Sequence, residues 1–133
     1  MINLIDHMPF AQTLGIEVQE ASESLVRGTI EADETLCTTG RIMHGGAIMA
    51  FADTLGAIGA FVNLPEGAKA STTIESKTNF LGAAPKGSIV TGVCTPVHIG
   101  RRTSVWQTKM TVEAEHGQEK MVAVVTQTQL VLS

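Results

Sequence analysis

One stretch of the chain joins residue types that suit acyl chemistry: His44-Gly45-Gly46-Ala47-Ile48-Met49-Ala50-Phe51-Ala52-Asp53. Asp53 follows a run of small and apolar residues. A carboxylate in such company must be hydrogen-bonded, paired or open to a cavity. It can serve as a general base or a nucleophile in a cleft, or as a structural group bonding a neighbouring loop. The two glycines would open a helix, where unpaired N–H groups and the helix dipole favour negative charge. Without side chains there, a ligand carbonyl can approach the backbone closely. Such a place can stabilise the oxyanion of an acyl-transfer intermediate; glycines kept only for packing are the plainer alternative.

The element that must position these groups is a long helix over residues 45–63. At about 100° per residue, Ile48, Phe51, Leu55, Ile58 and Val62 share one side. Gly46, Ala50, Asp53, Gly56, Ala57 and Ala60 share the other, and all but Asp53 are small. The large stripe suits a sheet, and the small stripe lets a second backbone or a ligand come close. Gly45 and Asp53 are eight residues apart, about 12 Å along the axis. One acyl carbonyl cannot easily touch both within one subunit. Two antiparallel helices about a two-fold axis would set each helix start against the partner's Asp53. The spacing therefore predicts a homodimer with two composite sites.

Around the helix the pattern is that of strands. A short helix is expected within 6–14, with Pro9 near its start, then two strands in 16–33 broken near Ser22–Ser24. Residues 34–44 read as a loop. After Leu64-Pro65-Glu66-Gly67, runs of two-residue periodicity cover about 70–82, 88–99, 103–114 and 121–132. Trp106, Thr108, Met110 and Val112 alternate as one row, and Val122, Val124 and Thr126 as another. Trp106 reads as a core or interface residue. Two strands, a buried helix and four strands describe an α+β domain, an antiparallel sheet wrapped around one helix.

Composition narrows the function. The 133 residues suit one domain, residues 1–133, with 44% hydrophobic and 17% charged residues. The formal net charge of −4 and the thin spread of nine Lys and Arg argue against a nucleic-acid surface. Cys37 and Cys94 form no CxxC pair, and His7, His44, His98 and His116 lack zinc-site spacing, so no metal is expected. The start of the chain shows no secretory signal, and a cytoplasmic location is expected. Residues 45–62 are apolar and nearly long enough to span a bilayer. Asp53 at the middle would cost roughly 2.5–3.5 kcal/mol there, so a core helix is the better reading.

Taken together, these motifs resemble the hotdog-fold acyl-CoA thioesterases. His-Gly-Gly followed by an acidic residue nine positions after the His is the signature. The resemblance is to the phenylacetate-degradation (PaaI-type) branch, related to 4-hydroxybenzoyl-CoA thioesterases. Asn79-Phe80-Leu81, Ala84, Gly87 and Gly100-Arg101-Arg102 leading to Trp106 extend it over about residues 10–132. It implies that Asp53 attacks the thioester or activates a water, and that the Gly45 N–H polarises the thioester carbonyl. It implies that His44 shapes the helix start, with Gly46 beside it. Thr73, or Thr72 if the register is off by one, matches a hydroxyl that orients the water. Thr38 stands where relatives commonly carry Asn or Gln, and it reaches less far. Gly100, Arg101 and Arg102 would meet the CoA phosphates, for which guanidinium groups are suited; two solvated turn residues are the alternative. Lys77 and Lys86 are weaker candidates.

The expected activity is hydrolysis of an acyl-CoA to free acid and CoA, with no cofactor beyond the CoA of the substrate. A homodimer is expected, pairing further into a tetramer being open, with no membrane partner. Two rivals stand beside it. A non-catalytic acyl-CoA sensor would gain little from a desolvated acid next to the acyl carbonyl. A hotdog hydratase would need a histidine beside the carboxylate, and His98 is the spare candidate.

Overall fold

The computed structural model describes residues 4–133; residues 1–3, the start of the segment read for a signal, lie outside them. A 3-10 turn, Leu4–His7, leads into α1, Pro9–Leu14. Pro9 sits in the first helical turn, where its missing N–H and fixed φ cost nothing. Gly15 ends α1 at φ 76°, a left-handed conformation that glycine adopts freely. Strands β1, Glu17–Ala21, and β2, Val26–Glu31, follow, parted by a turn in which Ser22 N–H donates to Leu25 O.

Residues 34–44 are more ordered than a loop. A 3-10 turn, Glu34–Leu36, capped by Asp33, precedes a two-stranded hairpin, β3 Cys37–Thr38 and β4 Ile42–Met43. The run is too short for periodicity to register. Helix α2 spans Gly45–Val62, and β5 Ala70–Phe80, β6 Ile89–Ile99, β7 Thr103–Glu113 and β8 Glu119–Leu132 complete the chain. Six strands form one antiparallel sheet in the order β1-β2-β6-β7-β8-β5, wrapped on α2. The long apolar helix thus packs on its own sheet, with 56% of its residues buried.

Phe51, Leu55, Ile48 and Ile58 are buried as the large stripe required. What seats them is a notch in the sheet. Gly28 on β2 and Gly92 on β6 are paired residues, and a Cβ on Gly92 would lie 2.7 Å from Leu55 Cδ1 and 2.9 Å from Phe51 Cε2. Absent side chains at this pair let two large ones enter, a close-packed arrangement.

The small stripe needs correction. Gly56 faces the sheet, where a Cβ would overlap the Gln127 amide, and the neighbouring Gly59 meets Trp106, which is fully buried. Ala60 is buried too. The side of α2 that the sheet leaves open is Gly46, Met49, Ala50, Asp53, Ala57 and Phe61. Small size marked positions of close approach, but part of that approach is made by the chain's own sheet.

The alternation along β8 also differs. Its inward row is Ala123, Val125, Gln127 and Gln129, while Val124, Thr126 and Thr128 are only partly covered. Against β7, Met110 pairs with Ala123 and Thr111 with Met121, so Val122 is an extra residue. A bulge of this kind reverses the parity of everything beyond it.

Candidate active site

Asp53 sits midway along α2, on its open side, half-buried. Thr73 of β5 donates its hydroxyl proton to Asp53 Oδ1 across 2.6 Å. No hydrogen bond ties Oδ2 among the described residues. Thr72 is exposed, as neighbours on a strand point to opposite faces. Of the two threonines the sequence offered, Thr73 is the one at the carboxylate.

The helix start is built by His44 as N-cap. His44 N–H donates to Leu36 O, and its Nδ1 accepts from Gly46 N–H at 2.7 Å. Gly46 has no side chain because a Cβ would sit 2.9 Å from that Nδ1. Ala47 and Ile48 N–H both donate to His44 O. Gly45 N–H is left over, with no acceptor among the described residues. It is the one free donor of the first turn, at the positive end of an 18-residue helix. Phe80 lies over it, its Cζ 3.1 Å from where a Gly45 Cβ would be, and the ring is half exposed.

These two centres do not meet within the chain. Both are on α2, about 12 Å apart along the axis at eight residues' separation. The remaining candidates are scattered. Thr38 is exposed in the β3–β4 hairpin, paired with Ile42. Gly100, Arg101 and Arg102 form the tight β6–β7 turn, where Gly100 N–H donates to Thr103 O at 2.8 Å. Both arginines are exposed, and neither has an ion pair among the described residues. Arg102 O accepts from Val131 N–H, and Val131 pairs with Ser71. The turn is therefore level with the start of β5, two strands or about 10 Å from it. Lys86 is 3.5 Å from Glu34 in an exposed ion pair. His98 packs over Gly100 and has no hydrogen bond to Asp53.

Open space adjoins the helix face. A trough of about 390 Å³ is lined by Leu4, Met8, Ala57, Ile58, Phe61 and Ser71, beginning one helical turn beyond Asp53. A smaller hollow of about 220 Å³ touches His44, Gly46 and Phe10 at the helix start. Another hollow, about 760 Å³ along β1, touches neither Asp53 nor Gly45. Among the described residues no group of three His, Cys, Asp or Glu could hold a metal ion. Cys94 is buried, and that burial pushes its thiol pKa up to about 11. Cys37 Sγ is half-buried and 3.6 Å from Ala32 O. The thiols are core groups.

Sequence reasoning missed two buried residues in contact with this centre. Gln129 Nε2 donates to Thr73 Oγ1 at 2.6 Å, and Gln127 joins it from behind. The signal was present as two polar residues at i and i+2, but the bulge in β8 hid which row faces inward. Phe80 appeared only as part of a motif; its place beside Gly45 is set by where β5 ends.

Residues 40–119 match the model of the thioesterase superfamily. The proofreading thioesterase EntH of Cronobacter turicensis is 32% identical over 94 residues, which are 71% of this chain and 67% of that protein. The crystal structure of a Haemophilus influenzae thioesterase superposes with a TM-score of 0.85 at 26% identity, covering 99% of this chain and 88% of that one. The Escherichia coli PaaI protein of the phenylacetic acid degradation operon shares the fold, at TM-score 0.85 and 20% identity over 98% of this chain and 91% of its own. The match to the superfamily extends over more than half of the chain, including the helix start, Asp53 and Thr73. This protein belongs to the thioesterase superfamily and is a thioester hydrolase of the hotdog fold.

Proposed function

We propose that the protein hydrolyses an acyl-CoA thioester to the free carboxylic acid and CoA, working as a homodimer with two composite sites. The observation that carries this reading is the pairing of a free donor with a held carboxylate. Among the described residues Gly45 N–H has no acceptor, and Asp53 is held through Oδ1 by Thr73 with no hydrogen bond to Oδ2. The thioester oxygen would accept from Gly45 N–H of one subunit, where the helix dipole favours the developing negative charge. Asp53 of the other subunit would act at the carbonyl carbon. As a base it takes a proton from water while the water oxygen attacks, and collapse of the tetrahedral intermediate expels CoA thiolate, which is then protonated. As a nucleophile it forms an anhydride with release of CoA, which water then opens.

Several features support the dimer. β5 is an edge strand of 11 residues with Ile74 55% and Phe80 53% exposed, a template for pairing with a second chain. Met49 and Phe61 are exposed on the same helix side as Asp53. A second copy laid antiparallel along this region would cover them and bring its helix start to Asp53. The trough beyond Ala57 offers room for an aryl or a medium-length alkyl group. Arg101 and Arg102, exposed at the level of Ser71 and without an ion pair among the described residues, suit the phosphates of CoA. Thr38 would contribute at most a short-reaching hydrogen bond near the helix start.

The test is Asp53→Ala assayed against aryl- and alkyl-CoA thioesters. The variant should fold and lose on the order of 10²-fold or more in turnover. Turnover at the wild-type rate in the folded variant would refute the assignment. Oxygen-18 entering Asp53 during one turnover in labelled water would select the anhydride route over general-base catalysis.

A further inference from the structure

Gln127 and Gln129 are 0% and 1% exposed, primary amides inside a mainly apolar core. Buried amides are costly unless each polar atom finds a partner, so their partners carry information. Gln127 Nε2 donates to Ala52 O at 2.8 Å. Gln129 Nε2 donates to Gln127 Oε1 at 2.7 Å and to Thr73 Oγ1 at 2.6 Å. Thr73 Oγ1 in turn reaches Asp53 Oδ1. The chain of bonds starts and ends on consecutive residues of α2, having passed through β8 and β5. Gly56 makes the entry possible, since any side chain there would overlap the Gln127 amide.

Elementary chemistry fixes its direction. Ala52 O can only accept, so Gln127 must present its NH₂ there and its Oε1 to Gln129. That oxygen can only accept as well, so Gln129 presents Nε2. A hydroxyl has a single proton; Thr73, accepting from Gln129, spends its own on Asp53. One helix carbonyl thus orients four side chains in sequence.

We propose that Gln129, backed by Gln127, is a positioning residue of the active site. It sets which way the Thr73 hydroxyl points, and so holds Asp53 by Oδ1 and leaves Oδ2 to react. The inference rests on Asp53 being the reacting carboxylate. A side chain that only filled the core would affect unfolding and nothing else.

Gln129→Met keeps length and removes the donor. It should lower kcat about tenfold with KM within about twofold, measured with whichever of benzoyl-, phenylacetyl- or hexanoyl-CoA the wild type turns over fastest. Because the effect passes through Thr73, the Thr73→Val/Gln129→Met pair should be no slower than Thr73→Val alone. A folded Gln129→Met enzyme with wild-type kcat, or losses that multiply in the pair, overturns the proposal. Asp53→Ala run alongside separates the two levels: full activity there overturns the underlying reading, whereas an inactive Asp53→Ala beside a fully active Gln129→Met overturns the positioning role alone. A readout that leaves both glutamines in place is the side-chain amide NMR signal of Gln129. Thr73→Val should shift one of its two amide protons, and an unmoved pair would also sink the idea.

Discussion

Asp53 and Cys94 show how differently the same core treats two acidic groups. Asp53 lies on the open side of α2 and is given a hydroxyl donor by Thr73. Thr73→Val removes that donor and also the acceptor of the buried Gln129 amide, so we expect turnover to drop on the order of tenfold and stability to fall by about 1–3 kcal/mol. An unaltered rate in steady-state assays would show that the hydroxyl is not needed. Cys94 is sealed among apolar neighbours, and its pKa rises from about 9 to about 11. The folded state then keeps a proton that the unfolded chain loses above about pH 9. Stability conferred by the neutral thiol is complete below that pH and declines up to about pH 11, by about 1.4 kcal/mol per unit. Denaturant unfolding of the wild type and Cys94→Ala across pH 7–11 tests this: the gap between them should shrink above pH 9, and a constant gap contradicts it.

At the scale of elements, the helix and sheet are matched by missing side chains. Gly28 and Gly92 admit Phe51 and Leu55, and Gly56 and Gly59 admit Gln127 and Trp106. Gly92→Ala would gain about 0.5–1 kcal/mol from a stiffer strand. Its Cβ, however, would lie 2.7 Å from Leu55 Cδ1, and overpacking of this kind costs about 1–3 kcal/mol. The clash should win, with a net loss of stability in thermal or denaturant unfolding; a more stable variant would mean that α2 shifts freely on the sheet. The helix start behaves differently. Gly45 occupies the first helical position, and His44 before it already has φ −62° and ψ 138°, the conformation a following proline requires. Gly45→Pro should therefore fold, with a small displacement of Phe80, and lose chiefly the N–H.

That distinction allows a test of the whole molecule. In a dimer with sites shared between chains, Asp53→Ala and Gly45→Pro homodimers each lack one half of both sites. A mixed dimer rebuilds one site from the two intact halves. Random mixing makes half of the dimers mixed, so about one quarter of wild-type activity should return when the two inactive proteins are exchanged, in keeping with an isologous two-fold interface. No recovery in subunits shown by mass spectrometry to have exchanged would mean that each chain works alone. Wild-type specific activity should likewise fall on dilution below the dimer dissociation constant.

Local patterns determined much of this protein. The α2 run, the two early strands, the four later ones and the turns at Pro85–Gly87 and Gly100–Arg102 each follow from short-range periodicity and turn chemistry. Asp53 stood out because one carboxylate among alanines and glycines needs a reason, and its hydroxyl partner was narrowed to two adjacent residues, Thr73 and Thr72, between which the structure decides. Tertiary structure decided the rest. The Val122 bulge reverses strand parity, so Gln127 and Gln129 turn inward in place of the row continued from Val122, Val124 and Thr126. Whether Gly56 welcomes a partner or its own sheet depends on which strand lies opposite. The free N–H of Gly45 emerges only after every other donor of the first turn has found an acceptor. Periodicity is a property of neighbours in the chain; hydrogen-bond partners 20 and 56 residues apart, like Asp53 with Thr73 and Thr73 with Gln129, are fixed only when the sheet closes on the helix.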